Sequence, residues 1–127
     1  MIARINGIRR DNPALQHYRN LRFQSSDDDQ VLAYAKVQGD NVILVAVNLD
    51  PFRPHDVAIQ APLDFVGVDD GEPYMAHELL TGETETWTAL WRHIRLDPAF
   101  NPVCIWRLER ALPEGFDAHD IAGDAAR

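Results

Sequence analysis

Cysteine is nearly absent from this sequence: Cys104 is the only one among 127 residues. A single cysteine cannot form an internal disulfide, so the fold must rest on its hydrophobic core, and cytoplasmic residence is the expectation. The chain also lacks any apolar run approaching the roughly 18 residues of a membrane span. Its first residues lack the continuous apolar stretch of a secretory signal. We therefore predict that no membrane is among its partners.

Clustered positive charge is missing as well. Lys and Arg number 12 against 20 Asp and Glu, which gives a formal net charge of −8, and the basic residues are scattered along the chain. A nucleic-acid footprint needs a basic patch or stripe. The sequence therefore predicts no nucleic-acid partner, and its acidic balance is typical of an ordinary soluble surface.

Reactive motifs are missing too. The two serines, Ser25 and Ser26, do not stand in a nucleophile elbow, and no glycine-rich phosphate loop occurs. The five histidines are isolated from one another and from Cys104, whereas a zinc site needs three or four convergent ligands. The acidic runs at 27–29 and 69–70 lack the spacing of a calcium loop and are expected in hydrated turns. We predict no catalytic residue, no metal site and no cofactor.

What the sequence does contain is a central apolar strand. Residues 42–47 are all apolar and rich in Val and Ile, the run is too short for a typical helix, and turn residues bound it. This pattern indicates a strand buried on both faces. The run 31–37 precedes it, and Gln38-Gly39-Asp40-Asn41 lies between the two. Gly-Asp-Asn suits the positive-φ positions of a tight turn, which predicts a β-hairpin with the rest of the chain packed around it.

Further strand patterns recur at regular intervals. A second hairpin is predicted around Thr81-Gly82, and a single helical turn is expected near residues 63–65. The other strand segments are 21–24, 57–61, 74–80, 83–87, 93–96 and 103–108. With the central hairpin they make about eight strands. The predicted fold is all-β: an antiparallel two-sheet sandwich of Greek-key type with a short N-terminal helix.

The first ten residues have a helical pattern. Ile2, Ile5 and Ile8 recur every three residues and give one narrow apolar stripe. The stripe has no obvious partner in this sequence, so we expect it to pack on something outside the chain. After residue 110 the periodic pattern fails. The predicted organisation is a helix and exit turn over 1–19, the sandwich over 20–109 and a flexible tail over 110–127.

Three aromatic residues are candidates for binding sugar. Trp87 and Trp91 are four residues apart, and Tyr74 is expected across a hairpin from Trp87. Exposed aromatic rings on a sandwich can stack on sugar rings, and tryptophans at strand ends can equally complete a core. Both interpretations stay open on sequence alone. A carbohydrate-binding module with Trp87, Trp91 and Tyr74 as its platform is therefore one hypothesis.

Four segments resemble the α-amylase superfamily, the family 13 glycoside hydrolases, and they occur in the same order. Residues 10–15 (RDNPAL) resemble the end of the last barrel helix and its exit turn. Residues 42–51, which end in Val-Asn-Leu-Asp-Pro, are similar to the central strand of that superfamily's C-terminal sandwich. Residues 79–83 (LLTGE) resemble its Leu-Leu-Thr-Gly hairpin, and residues 105–108 (IWRL) resemble its closing strand.

Within the superfamily, segments 20–23, 32–36, 77–83 and 94–98 are most similar to the α-1,4-glucan:maltose-1-phosphate maltosyltransferases. That resemblance implies a parent enzyme that extends α-glucans by a retaining mechanism, with catalytic carboxylates on barrel strands that this sequence does not contain. The expected function is a non-catalytic C-terminal domain that packs on and stabilises its missing catalytic barrel. An α-glucan-binding module and a homodimerising interaction domain are the alternatives.

Overall fold

The computed structural model of the chain describes residues 2–16 and 21–111, with residues 2–5 and 16 described by backbone alone. It confirms the all-β sandwich. No helix within these ranges is long and apolar enough to cross a membrane. The elements are helix α1 (Ile2–Asp11), a 3-10 turn (Pro13–Gln16), strands β1 (Leu21–Gln24), β2 (Val31–Gln38), β3 (Asn41–Asn48) and β4 (His55–Gln60), helix α2 (Leu63–Val66), and strands β5 (Tyr74–Glu78), β6 (Thr84–Trp87), β7 (Trp91–Leu96) and β8 (Val103–Arg110).

The strands form two antiparallel sheets. Six strands make the larger sheet in the order β1-β2-β3-β8-β5-β6, and β4 pairs with β7 in the smaller one. Strand β8 returns from the far end of the sequence to lie between β3 and β5. Segments that are distant in the sequence are therefore brought together on both sides of β8.

The predicted central hairpin is present. Strands β2 and β3 pair from Val31 opposite Asn48 to Gln38 opposite Asn41, which leaves a two-residue turn at Gly39 and Asp40. Gly39 has a φ of 58°, in the region that favours glycine. Residues 42–46 are all buried, as expected for a strand covered on both faces.

The main core lies between the two sheets. Alternate residues of the strands point into it and pack with the residues after β4. Its members include Val42, Leu44, Val57, Ile59 and Leu96, all at most 2% exposed. A smaller cluster lies on the opposite, outer face of the larger sheet, where Ile43, Val45 and Ala14 are buried together.

Helix α1 is fixed to the sandwich at its C-terminal end. The Asn12 side-chain amide donates to the Ile8 carbonyl (2.9 Å), and its Oδ1 accepts from Nδ2 of Asn41 (3.0 Å). Oδ1 of Asn41 in turn accepts from the backbone N–H of Ala14 (2.9 Å). Two asparagines thus join the helix end to the turn end of β3. The predicted boundary at residue 19 lies outside the described residues. Of the predicted tail over 110–127, Arg110 is the last residue of β8, and residues from 112 onward lie outside the described part of the chain.

Candidate functional site

The structure separates the three aromatic residues predicted to bind sugar. Tyr74 is 0% exposed and Trp87 is 3% exposed, so both belong to the core, whereas Trp91 is 43% exposed. A buried ring offers no face to a sugar. Of the predicted platform, only Trp91 lies at the surface.

Trp87 is the centre of an aromatic cluster in the core. Its ring meets Tyr74 edge-on with centroids 6.0 Å apart, and meets Trp106 at 5.2 Å in a similar tilted geometry. Edge-to-face pairs of this kind stabilise a core beyond the area they bury. The indole N–H of Trp87 donates to Oε1 of Glu85 at 2.9 Å. Trp87 therefore links the core to the exposed carboxylate of Glu85.

Tyr74 fixes the loop from which Trp91 emerges. Its hydroxyl donates to the carbonyl of Ala89 at 2.7 Å, and burial raises the pKa of Tyr74 to about 12. The next residue, Leu90, donates its backbone N–H to Oδ1 of Asp70 at 3.0 Å and accepts from the N–H of Ala61 at 2.8 Å. The β6–β7 loop is therefore held by three separate segments of the chain.

A small cavity of about 120 Å³ opens at this corner of the sandwich. Arg92 lies beside it, with its guanidinium 5.0 Å from the centroid of the Trp87 ring. Nη2 of Arg92 donates to Oε1 of Glu85 at 2.8 Å, the same oxygen that accepts from Trp87. The cavity is lined by Thr86, Trp87, Thr88, Ala89, Trp91 and Arg92.

The outer face of the larger sheet is the second candidate surface. Phe23 of β1 pairs with Tyr34 of β2, Tyr34 with Val45 of β3, and Val45 with Ile105 of β8. Paired residues in antiparallel strands share a face. Phe23 is 66% exposed. At the end of β3, Leu49 continues the same face by alternation and is 55% exposed.

Helix α1 stands beside this face. The side chain of Ile8 is half-buried and lines a groove of about 840 Å³ between the helix and the sandwich, with Asn41, Leu79 and Arg107 on the other side. Of the predicted barrel-packing stripe, Ile8 is therefore at the surface where a partner can reach it. The side chains of Ile2 and Ile5 lie outside the described part of the chain.

His55 makes a charged cluster that the sequence did not reveal. Its Nδ1 lies 2.6 Å from Oδ2 of Asp28, and its Nε2 lies 2.9 Å from Oδ2 of Asp50. Hydrogen bonds to Asp50 and Asp28 raise the pKa of His55. The backbone N–H of Gln30 and the His55 ring lower the pKa of Asp28, and His55 also lowers the pKa of Asp50. The cluster joins the β1–β2 turn to the β3–β4 loop at one end of the sandwich.

Glu78 organises the predicted Leu-Leu-Thr-Gly hairpin. One carboxylate oxygen accepts from the N–H groups of Leu80 (3.0 Å) and Thr81 (2.8 Å), and the other accepts from the N–H of Ile105 (2.8 Å). The carboxylate is buried. It completes the turn and attaches it to β8. Within residues 2–16 and 21–111, no group of three or more His, Cys, Asp or Glu side chains is arranged so that it could hold a metal ion.

Comparison with solved structures shows which class of proteins shares this fold. It is similar to part of a maltogenic α-amylase, AmyB, from Thermotoga neapolitana (TM-score 0.58, 13% identity, 81% of this chain and 23% of that one). It is also similar to part of an Anoxybacillus α-amylase (TM-score 0.59, 16% identity, 87% of this chain and 22% of that one). The chain has the β-sandwich fold found in α-amylases.

The particular family follows from sequence comparison. The family model described as "GLGE, C-terminal" matches residues 23–108, and the chain belongs to that family. It is 47% identical over 110 residues to an α-1,4-glucan:maltose-1-phosphate maltosyltransferase of Rhodospirillum rubrum, and 39% identical over 128 residues to one of Burkholderia pseudomallei. These matches confirm the resemblance seen in the motifs. The chain spans 16% of the length of the first relative and 11% of the second.

Proposed function

We propose that this chain is the non-catalytic C-terminal domain of an α-1,4-glucan:maltose-1-phosphate maltosyltransferase, and that it stabilises the catalytic part of that enzyme by packing on it. The observation that carries this proposal is the share of the relatives that the chain covers. A match over 85% of this chain corresponds to 16% of the Rhodospirillum rubrum enzyme. Maltosyl transfer is proposed for the remainder of the enzyme.

The outer face of the larger sheet supports the packing role. Phe23 and Leu49 are more than half exposed and Leu21 is 37% exposed. By strand pairing and alternation, all three lie on the face of the sheet that carries the outer apolar cluster. Large contiguous apolar patches on soluble proteins mark places where another protein surface binds. The half-buried Ile8 and the groove beside α1 extend the same side of the molecule. We propose that the catalytic region covers this docking face, defined by Leu21, Phe23, Leu49 and Ile8.

Paired substitutions test this directly. Phe23→Asp and Leu49→Asp are made both in the isolated chain and in the whole enzyme. In the isolated chain these side chains are exposed, so each change alters the free energy of unfolding by less than about 0.5 kcal/mol. In the enzyme they place a charge in an apolar interface and lower the thermal midpoint by several degrees. An equal, small effect in both proteins contradicts the proposal.

A second copy of the chain is the alternative occupant of the docking face. Light scattering of the isolated chain separates the two. We expect the isolated chain to be a monomer. If it forms a dimer through the docking face, Phe23→Asp should dissociate that dimer, and the catalytic region should replace the second copy on this face. A dimer that persists within the whole enzyme through this face would favour the dimerising role.

The cytoplasmic location of the protein stays a prediction.

A further inference from the structure

The corner that presents Trp91 combines an exposed apolar ring with exposed hydrogen-bonding groups. Trp91 begins β7 with 43% of its area exposed, although two other tryptophans of this chain, Trp87 and Trp106, are at most 5% exposed. An exposed indole leaves an extensive flat apolar surface in water. The Trp91 ring also lines a concave surface, where a ligand can make contacts on more than one side.

Thr88 and Arg92, which line this cavity, and Glu85, which contacts two of the lining residues, can each make further hydrogen bonds. Oε1 of Glu85 accepts from Trp87 and Arg92, whereas its Oε2 makes no hydrogen bond within residues 2–16 and 21–111. The Thr88 hydroxyl likewise has no partner in the described chain, and 38% of the Arg92 side chain is exposed. A carboxylate accepts, a guanidinium donates and a hydroxyl does both. Together these three groups can donate hydrogen bonds to the hydroxyl groups of a sugar and accept hydrogen bonds from them.

The cavity is held in shape before any ligand arrives. The Tyr74 hydroxyl fixes Ala89, and the Asp70 carboxylate fixes Leu90, so the loop leading to Trp91 is tied down. The shared oxygen of Glu85 positions Arg92 over the Trp87 ring. Binding to a preformed surface loses less conformational entropy than binding to a loose one.

We propose that Trp91, together with Glu85, Thr88 and Arg92, forms a non-catalytic attachment site for an α-1,4-glucan chain. The indole ring takes the apolar face of one glucose unit. Hydroxyls of that unit or its neighbour donate to Oε2 of Glu85 and accept from the Arg92 guanidinium. Tyr74 and Trp87 are positioning residues, since they hold the loop and the carboxylate from beneath. The choice of α-1,4-glucan as the ligand rests on the proposed function.

Affinity electrophoresis through gels that contain glycogen tests this site. We expect glycogen to retard the unsubstituted chain, and Trp91→Ala to weaken that binding about tenfold. Phe52→Ala is the matched control, because Phe52 is an 87% exposed aromatic in the β3–β4 loop, and it should leave the retardation unchanged. Equal retardation of the Trp91→Ala variant, or no retardation of the unsubstituted chain, overturns the site.

A Glu85 variant and a gel that contains a different glucan test the polar contacts and the ligand class separately. Glu85→Gln retains an acceptor for the Trp87 N–H, and it should weaken glycogen binding while leaving the thermal midpoint close to that of the unsubstituted chain. A gel containing a β-1,4-glucan should cause no retardation, and retardation as strong as that by glycogen contradicts the assigned ligand class.

The failure of this inference is distinguishable from failure of the proposed function. The enzyme that carries this domain is assayed for maltosyl transfer from maltose 1-phosphate to a short malto-oligosaccharide. Transfer without any glycogen retention by the domain contradicts the attachment site alone. Absence of transfer contradicts the proposed function, whatever the domain binds. With both correct, Trp91→Ala raises the KM for glycogen, whereas the control Phe52→Ala leaves both KM and kcat unchanged.

Discussion

His55 and Asp28, which are 27 residues apart in sequence, form a hydrogen bond of 2.6 Å between Nδ1 and Oδ2. Asp28 lies in the β1–β2 turn and His55 begins β4, so the contact joins two loops that close one end of the sandwich. Asp50 holds the other ring nitrogen at 2.9 Å. The imidazolium is therefore enclosed by two carboxylates.

This arrangement predicts a pH-dependent contribution of His55 to stability. The pKa of His55 is raised above its ordinary 6.5, so the contribution is fully present below that pH and is lost as pH rises through the higher folded value. The pKa values of Asp28 and Asp50 are lowered from 3.8, so their contribution is lost as pH falls below that value. The stabilisation is complete between these limits.

The matching experiment compares urea unfolding of the unsubstituted chain and His55→Gln from about pH 5 to about pH 9. The stability difference between them should shrink as pH rises above neutrality. His93→Gln is the control, because His93 is exposed and makes no ion pair in the described chain. A difference that is constant over this range contradicts the account.

Glu78 is expected to be the most sensitive carboxylate in the second hairpin. Glu78→Ala leaves the N–H groups of Leu80, Thr81 and Ile105 without their acceptors, which should lower the free energy of unfolding by about 2–4 kcal/mol. Glu78→Gln retains one acceptor oxygen and should cost about half as much. Glu83→Ala, at an exposed neighbouring position, should stay within about 0.5 kcal/mol. Urea titration of the three variants measures this order, and a neutral Glu78→Ala would show that the turn closes without the carboxylate.

Asn41 is expected to hold helix α1 on the sandwich. Asn41→Ala removes the acceptor for the Ala14 N–H and the donor to Asn12, which should cost about 1–2 kcal/mol. Amide hydrogen exchange should then accelerate in α1 more than in β3. The adjacent Asp40→Ala, in the exposed turn, should leave exchange in α1 unchanged. Equal exchange of α1 in both variants would mean that another contact fixes the helix.

Cys104 is expected to be slow to react. Burial, with a further contribution from the Glu78 charge, raises the pKa of its thiol to about 11. Little thiolate is therefore present near neutral pH, and the thiolate is the reactive form. Alkylation by iodoacetamide should be slow in the folded chain and should accelerate in denaturing urea. Rapid alkylation of the folded chain would contradict the half-buried environment of Cys104.

Local patterns in the sequence were enough to predict the strands. The apolar run before Asn48 and the glycine at position 39 specify the central hairpin by themselves, because both signals are local. The burial of the individual aromatic residues was not predictable. The local sequence does not distinguish Tyr74, Trp87 and Trp91, and tertiary packing buries the first two. Similarity of the motifs identified the family.

The His55 cluster was missed for a related reason. Its partners come from two different loops, and single acidic residues in turns are ordinarily hydrated. Glu78 was likewise hidden, because its three donors include Ile105 on a strand 27 residues away. The His55 cluster and the Glu78 hydrogen bonds both form because the fold brings distant segments together. No spacing between residues in the sequence indicates these contacts.

The most direct test of the docking role compares oxidative footprinting of Phe23 in the isolated chain and in the whole enzyme. Phe23 is 66% exposed in this chain, and the account predicts strong protection of its ring once the catalytic region is present. Trp91, which the glucan site requires to be accessible, should react at a similar rate in both proteins. Equal labelling of Phe23 in the isolated chain and in the enzyme would contradict the packing of the catalytic region on this face.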